Sequence, residues 1–401
     1  MLNKELELIE EFNVVDFLDL IINEAINFQA SDIHIEPDED YTRIRYRIDG
    51  DLINIYRISK SRHSELITRI KILSNLNIAE RRLPQDGRIG WSDDEKTDLR
   101  IAICPVVCGE KVVIRILNTS RYNISLDEFG FPKENYDKLK NMISRSSGML
   151  ISSGPTGCGK STTLYALIRE LNVENRNIIT IEDPVEFRIR GINQIQVNDK
   201  SGMSFSTGLR SILRADPDII MVGEIRDSET AQIAIRAAIT GHLILSSLHT
   251  YDSYSAIIRL MDMGIEPYLI ASALAGVQSQ RLVKKLCPEC SRPYQPDMRI
   301  RSIIQSVLGD NVELNLKKPI GCEKCFEGFK GRQVISEVFT VDEDMVSAIK
   351  RKADISELRN IGKDNCVKSI LHDGLNRACR GEVYIEDVLR ESIGDWNGKY
   401  I

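Results

Sequence analysis

MLISSGPTGCGKSTTLYALIREL, residues 149–171, reads as an apolar strand, a glycine-rich loop and a helix in direct succession. Gly154, Pro155, Thr156, Gly157, Cys158, Gly159, Lys160 and Ser161 satisfy G-x-x-x-x-G-K-[ST] in the strand-to-helix context that gives this pattern its meaning. The glycines let the loop wrap so that backbone N–H groups face phosphate oxygens, and the helix N-terminus adds its partial positive charge. Lys160 is then aimed at the β and γ phosphates of a nucleotide, the Ser161 hydroxyl at Mg²⁺, and Thr162 begins the helix beside them.

Outward from this loop the chain alternates apolar runs with helical ones: NIITIEDP, DIIMVGE and HLILSSLHT follow MLISS. Runs of this kind fit a buried, mainly parallel sheet, and they define a main α/β domain over 131–401. In such sheets ligands lie beyond the carboxyl ends of the strands, so acids just past a strand are the candidates for hydrolytic work. Glu224 follows one strand and Asp183 and Glu186 follow another. Gly223 occupies the position where many P-loop ATPases carry the Mg²⁺-holding Asp, so metal and base duties are expected to be shared among Glu224, Glu186 and Asp183. His242 and His249 bracket the strand of HLILSSLHT, and His249, at its carboxyl end, could sense a γ-phosphate.

Before the main domain, an amphipathic helix from Val15 to Phe28 precedes TRIRYRIDGDLINIYRIS, an alternating pattern broken by Asp49-Gly50. This reads as a β-hairpin on a type I′ turn, with Ile44, Tyr46 and Ile48 on one face and Arg43, Arg45 and Arg47 on the other, which could meet phosphate but is more commonly a solvated outer face. A helix over 64–76 and paired strands around 99–103 and 112–116 complete an α/β module over 15–118. A stub over 1–14 and a linker over 119–130 flank it.

Nine cysteines, an odd number in a chain with no secretory start, are read as reduced thiols or metal ligands. Cys287-x-x-Cys290 and Cys322-x-x-Cys325, inside an insert over 281–335, fit four-thiolate ligation of a structural Zn²⁺. Cys104 and Cys108 are expected to be small buried hydrophobes. Cys158 is open to two readings. It is a small residue that fits the loop, or a low-pKa thiol beside Lys160 whose oxidation would brake phosphate entry. Helices are expected over 341–395. Acidic residues outnumber basic ones, 59 to 53, so no overall basic field would hold the chain on nucleic acid.

The blocks ASDIHIEP, RLPQDGRI, GEKVVIRIL, GPTGCGKSTTLYA, TIEDPVE, DPDIIMVGEIRD, TGHLILSSLHT, RLMDMGIEP and QRLVKKLCPEC occur in an order that resembles the type II secretion and type IV pilus assembly ATPases. The resemblance covers about residues 15–390. It implies a RecA-like P-loop ATPase domain with a PAS-like α/β N-terminal module and a zinc-binding insert, assembled as a homo-hexamer. It implies ATP, Mg²⁺ and Zn²⁺ as cofactors. By the same resemblance Glu186 is the catalytic glutamate of an aspartate box, Glu224 the Walker B glutamate, and His242 and His249 histidine-box residues. Arg88 and Arg100 are then the N-terminal-module arginines that approach the nucleotide. The implied work is assembly of a pilus or of a secretion or DNA-uptake pseudopilus, through an inner-membrane platform protein. The expected place is the cytoplasm, at the inner face of the membrane and attached only through partners.

A tetracysteine insert resembles assembly and secretion motors, whereas pilus-retraction motors usually lack it. Little precedes the helix at Val15, so the extra N-terminal domain of the longer relatives is expected to be absent. A retraction motor and a RecA-like nucleic-acid translocase are the competing readings, and no nucleic-acid partner is expected. A zinc scaffold that binds nucleotide without hydrolysis is the non-enzymatic one.

Overall fold

The computed structural model describes residues 13–91, 97–118 and 124–392. The stub over 1–14, the first part of the linker and the end of the helical segment read to 395 therefore lie largely outside the described residues. The chain divides into two compact units, residues 1–121 and 122–401, both of mixed α/β structure.

In the first unit α1 (Val14–Asn27), β1 (Asp32–Pro37), β2 (Tyr41–Ile48), β3 (Asp51–Ser59), α2 (Lys60–Leu73), β4 (Gln85–Gly90), β5 (Thr97–Val106) and β6 (Gly109–Asn118) follow in order. Asn13 caps α1 by accepting from the Val15 and Asp16 amides, which satisfies two of the donors a helix start leaves open. The strands form one antiparallel sheet in the order β3-β2-β1-β6-β5-β4. At the β2–β3 turn both Asp49 (φ 50°) and Gly50 (φ 101°) are left-handed, as a type I′ turn requires. Thr42, Ile44, Tyr46 and Ile48 are buried while the arginines between them are not, and the Tyr46 hydroxyl donates to Ile21 O of α1 at 2.7 Å. Cys104 does not follow its expectation: the same alternation places it on the outward side of β5 after buried Ile103, and it is exposed. Cys108 is only half-buried.

The second unit contains α3 (Lys133–Ile143), β7 (Gly148–Ser153), α4 (Lys160–Leu171), β8 (Ile178–Glu182), β9 (Asn193–Gln196), α5 (Phe205–Ile212), β10 (Ile219–Val222) and α6 (Ser228–Ile239). It continues through β11 (Leu243–Leu248), α7 (Ser253–Asp262), α8 (Pro267–Ala273), β12 (Leu274–Leu286), the short β13 (Arg292–Pro293), α9 (Met298–Leu308) and the short β14 (Lys317–Lys318). β15 (Phe329–Thr340), α10 (Glu343–Lys350), α11 (Ile355–Asp364), α12 (Ile370–Cys379) and α13 (Ile385–Glu391) complete it. Its main sheet runs β15-β12-β7-β11-β10-β8-β9, parallel throughout except that β15 is antiparallel to β12. Met149 and Ile151 of β7 enter one core, with residues of α5 to α8, and Leu150 between them enters the other, with residues of α3 and α4. A strand covered on both faces has no polar side, which is why its sequence is apolar without alternation.

Two boundaries differ from those read in the sequence. Residues 126–129, read as linker, form a 3₁₀ turn capped by Ser125 and Glu128, and Leu126 and Phe129 are buried in the core beside α4. The insert read as 281–335 cuts into two long paired strands, β12 and β15. The segment between them holds α9, whose Ile300, Ile303 and Ile304 pack with Ile370, Leu371 and Leu375 of α12. Among the described residues no helix is long and apolar enough to cross a membrane.

Candidate active site

The glycine loop is fixed from beneath by a buried polar column on β12. Ser152 Oγ donates to Gln278 Oε1 (2.8 Å), Gln278 Nε2 to Gln280 Oε1 (2.6 Å), and Gln280 Nε2 to Cys158 O (2.6 Å). Thr163 of α4 donates to the same Gln280 oxygen at 2.8 Å. These four side chains are buried, and each polar atom in the column finds a partner, as burial demands. Gly154 (φ 146°) and Gly159 (φ 92°) cannot be replaced without collision: a Cβ on the first would lie 2.7 Å from Gln280 O, and on the second 2.9 Å from Gln280 Nε2.

Lys160 is turned back onto this loop, its Nζ donating to Gly154 O (2.7 Å) and Pro155 O (3.0 Å). The residue is 7% exposed, and burial pushes its ammonium below the usual lysine range. Thr156, Gly157, Gly159, Lys160, Ser161 and Thr162 line one wall of a cavity of about 540 Å³. Gly154, Pro155 and Cys158 shape the loop behind that wall.

The opposite wall carries Glu182, Asp183, Glu186, Glu224, Arg226 and His249. β8, β10 and β11 are parallel and in register, so the residues just past their ends converge. Glu224 Oε2 lies 3.2 Å from His249 Nε2, and His249 Nδ1 lies 3.4 Å from Lys160 Nζ. The neutral Nε2–H tautomer satisfies both contacts at once, donating to the carboxylate and accepting from the ammonium. Arg226 joins Glu224 to Asp183, hydrogen-bonding the first carboxylate and donating to the second at 3.1 Å. Burial alone would raise the Glu224 carboxyl, but Arg226 and His249 hold it below the ordinary glutamate range.

Glu182 is 4% exposed, and burial pushes its carboxyl up. It accepts from Thr180 Oγ1 (2.5 Å), Gln194 Nε2 (3.1 Å) and the Tyr165 hydroxyl. Glu182, Tyr165, Arg226 and Gln280 were not among the residues singled out from the sequence. Arg226 had a local signal, two residues past Glu224, and Glu182 had one as an acid ending an apolar strand; Tyr165 and Gln280 had none.

His242 is not brought to the cavity. It precedes β11, about 20 Å from His249 at the usual rise of an extended strand, and its Nδ1 sits 3.1 Å from Ala237 O. Arg88 and Arg100 belong to the first unit, where they face each other in register across β4 and β5. Arg88 is paired with Asp98. The reactive-thiol reading of Cys158 is overturned: the residue is 4% exposed, and burial pushes its thiol up despite nearby Lys160 and Arg281.

The residues fit a Mg²⁺-nucleotide. The loop's N–H groups and Lys160 match phosphate, and the Ser161 hydroxyl with the Glu186 and Glu224 carboxylates offers the hard oxygen ligands Mg²⁺ takes. Elsewhere in the unit Cys287, Cys290, Cys322 and Cys325 bring their sulfurs within 4.8 Å of one another. Pairs stand at 3.6, 3.7 and 4.0 Å, close to the edge of about 3.8 Å of a tetrahedron with ~2.3 Å Zn–S bonds. These four thiolates could hold Zn²⁺.

A family model described as Type II/IV secretion system protein matches residues 7–390. The type II secretion system ATPase E of Vibrio cholerae is 43% identical over 387 residues, covering 96% of this chain and 76% of its own. The type IV pilus assembly ATPase PilB of Thermus thermophilus is 41% identical over 387 residues, covering 96% of this chain and 44% of its own. Among solved structures, the ATPase DotB of Legionella pneumophila superposes with a TM-score of 0.71 at 22% identity, over 96% of each chain. The pilus retraction motor PilT with bound ADP gives 0.64 at 24%, over 93% of this chain and 96% of its own. At such identities the likeness is one of fold.

Proposed function

The chain belongs to the Type II/IV secretion system protein family, and from that premise we propose that it is a Mg²⁺-dependent motor ATPase that drives assembly of a pilus or pseudopilus. The observation that carries the reading is the meeting of the P-loop, Glu186, Glu224 and His249 on one cavity. Lys160 exchanges its two loop carbonyls for the β and γ phosphates of ATP, a move made easier because its present partners are neutral. Ser161 and Glu224 would hold Mg²⁺, which would supply charge neutralisation at the phosphates. Glu224, tied to Arg226 and His249, serves charge and orientation, and Glu186, the catalytic glutamate that the family resemblance implies, takes the proton of the attacking water. His249, set between Lys160 and Glu224, reports whether a γ-phosphate is present. ATP and water give ADP and phosphate.

The remaining parts follow from the family resemblance. Subunits act as a hexamer, Arg88 and Arg100 add positive charge to the nucleotide, and an inner-membrane platform protein receives the movement at the cytoplasmic face. The tetracysteine site holds a structural Zn²⁺, consistent with an assembly or secretion motor. Phosphate release is the direct test. Glu186→Gln is expected to bind ATP and lose on the order of 10² or more in turnover, as removal of a general base does. Parental turnover in that variant would withdraw the assignment.

A further inference from the structure

The loop between β8 and β9, residues 183–192, carries Glu186, and over residues 185–189 three side chains hold four of its backbone groups. Val185 N donates to Gln196 Oε1 at 3.3 Å, and Glu186 N to the Tyr165 hydroxyl at 3.3 Å. Gln194 takes the other two, accepting from Ile189 N at 2.7 Å and donating to Phe187 O at 3.1 Å. Tyr165 lies on α4, five residues past Lys160, and is 1% exposed. Its ring packs against Phe187 with centroids 4.2 Å apart, and the Arg169 guanidinium lies 5.1 Å from the Phe187 centroid.

A phenol has one proton. Because Tyr165 gives it to Glu182, the oxygen presents a lone pair to the Glu186 amide. Glu182 in turn has its carboxylate filled by three donors, from Thr180, Gln194 and Tyr165. It lines the cavity, yet its oxygens are committed to orienting Tyr165 and Gln194. Gln194 closes the circuit, since its amide nitrogen bridges Glu182 and Phe187 O.

We propose that Tyr165 and Glu182 are positioning residues that lock the Glu186 loop to the helix of the P-loop and thereby set the rate of hydrolysis without contributing to nucleotide affinity. The proposal rests on the reading of Glu186 as the group that takes the water's proton. A shift at the first turn of α4, where phosphates bind, is passed to the Glu186 backbone through one side chain. The catalytic carboxylate and the phosphate cradle then move together.

The test is Tyr165→Phe in the full chain, which keeps the ring against Phe187 and removes only the hydroxyl. One hydrogen bond of this kind is worth about tenfold in an equilibrium. The expected signature is kcat about tenfold lower, KM for ATP within about twofold of parent, and about tenfold faster hydrogen exchange in peptides spanning 183–192. Glu182→Gln, which keeps the volume but cannot accept from all three donors, should give the same three results. Parental kcat, a rise in KM at parental kcat, or a slower rate with unchanged exchange would each overturn the proposal. Glu186→Gln run alongside separates the two ideas. If it turns over at the parental rate, the assignment of Glu186 fails and the claim on rate goes with it. Faster exchange in Tyr165→Phe would then still establish the lock on the loop.

Discussion

The two large sheets handle charge in opposite ways. On the outer face of the antiparallel sheet, Glu36 of β1 is surrounded by Arg43 and Arg45 of β2 and Lys111 of β6, at 3.2, 2.7 and 2.9 Å. Asp32, further along β1, sits between Arg47 at 3.7 Å and Arg115 at 3.0 Å. Each carboxylate is neutralised by its cross-strand neighbours, which is what the arginine face seen in the sequence is for. In the parallel sheet, which has helices on both sides, β7, β10 and β11 carry no charged residue, and past the strand ends Glu186, Glu224, His249 and Lys160 converge on one cavity. A charge that is satisfied across strands holds a sheet together. A charge at a strand end, with donors and acceptors it can exchange, is available for chemistry.

Removing a strand-end charge should therefore cost rate and spare the fold. Lys160→Ala is expected to reduce ATP turnover to background while far-UV circular dichroism and melting temperature stay near parent. Loss of the fold with the activity would break the contrast.

Arg88 and Arg100 test it from the other side. They lie on the antiparallel sheet, and the register sets Arg88, Arg100 and Arg115 in a row across β4, β5 and β6. Two of the three are paired within the sheet, Arg88 with Asp98 and Arg115 with Asp32. Replacing Arg88 and Arg100 by Ala is expected to lower turnover on the order of 10³, the scale of an arginine finger. Turnover within twofold of parent would make this part of the face structural like the rest.

The cysteine cluster is a third case, four sulfurs, two buried and two half-buried, whose charge a metal could cancel. Cys322→Ser is expected to lower bound Zn²⁺ from about one per chain towards none, read by elemental analysis. It should also lower stability by several kcal/mol, because metal binding and local folding are coupled. Turnover should fall only as the fold is lost.

The smallest effect belongs to Glu36. Burial would raise its carboxyl, but Arg45 and Lys111 hold it at about 2, against 4.5 for a free glutamate. A depressed folded value means the ion pairs stabilise the unit fully above about pH 4.5 and progressively less as pH falls towards 2. Glu36→Gln should lower stability by about 1 kcal/mol near neutrality, an amount typical of partly exposed pairs. The gap from parent in urea melts should close between pH 4.5 and 2. A gap that persists at pH 2 would mean that packing, not charge, distinguishes the variant.

Much of the site was legible because its signals are local. The spacing of glycines around Lys160, the acid one residue past the DIIMV run and the paired C-x-x-C knuckles each need only a few consecutive residues to be recognised. Cys158 is open to two readings in the sequence because its surroundings are not local: Gln280, which fixes its carbonyl, comes 122 residues later. Cys104 was misplaced because reading it as a core residue ignored the alternation of β5. The segment around Leu126 and Phe129 lacked periodicity, and a single capped 3₁₀ turn is too short to show any.

The sequence by itself determined the two sheet types, the phosphate loop and which acids stand at strand ends, because hydrophobic period and glycine spacing are properties of neighbouring residues. Only the tertiary structure decided that His249 and not His242 joins the cavity, and that Arg226 and His249 hold Glu224 ionised. It likewise decided that Tyr165, 17 residues before Glu182, binds two segments of the site into one piece. Those are contacts between the ends of different strands and a helix, set by how the sheet stacks its strands side by side, and no stretch of consecutive residues contains them.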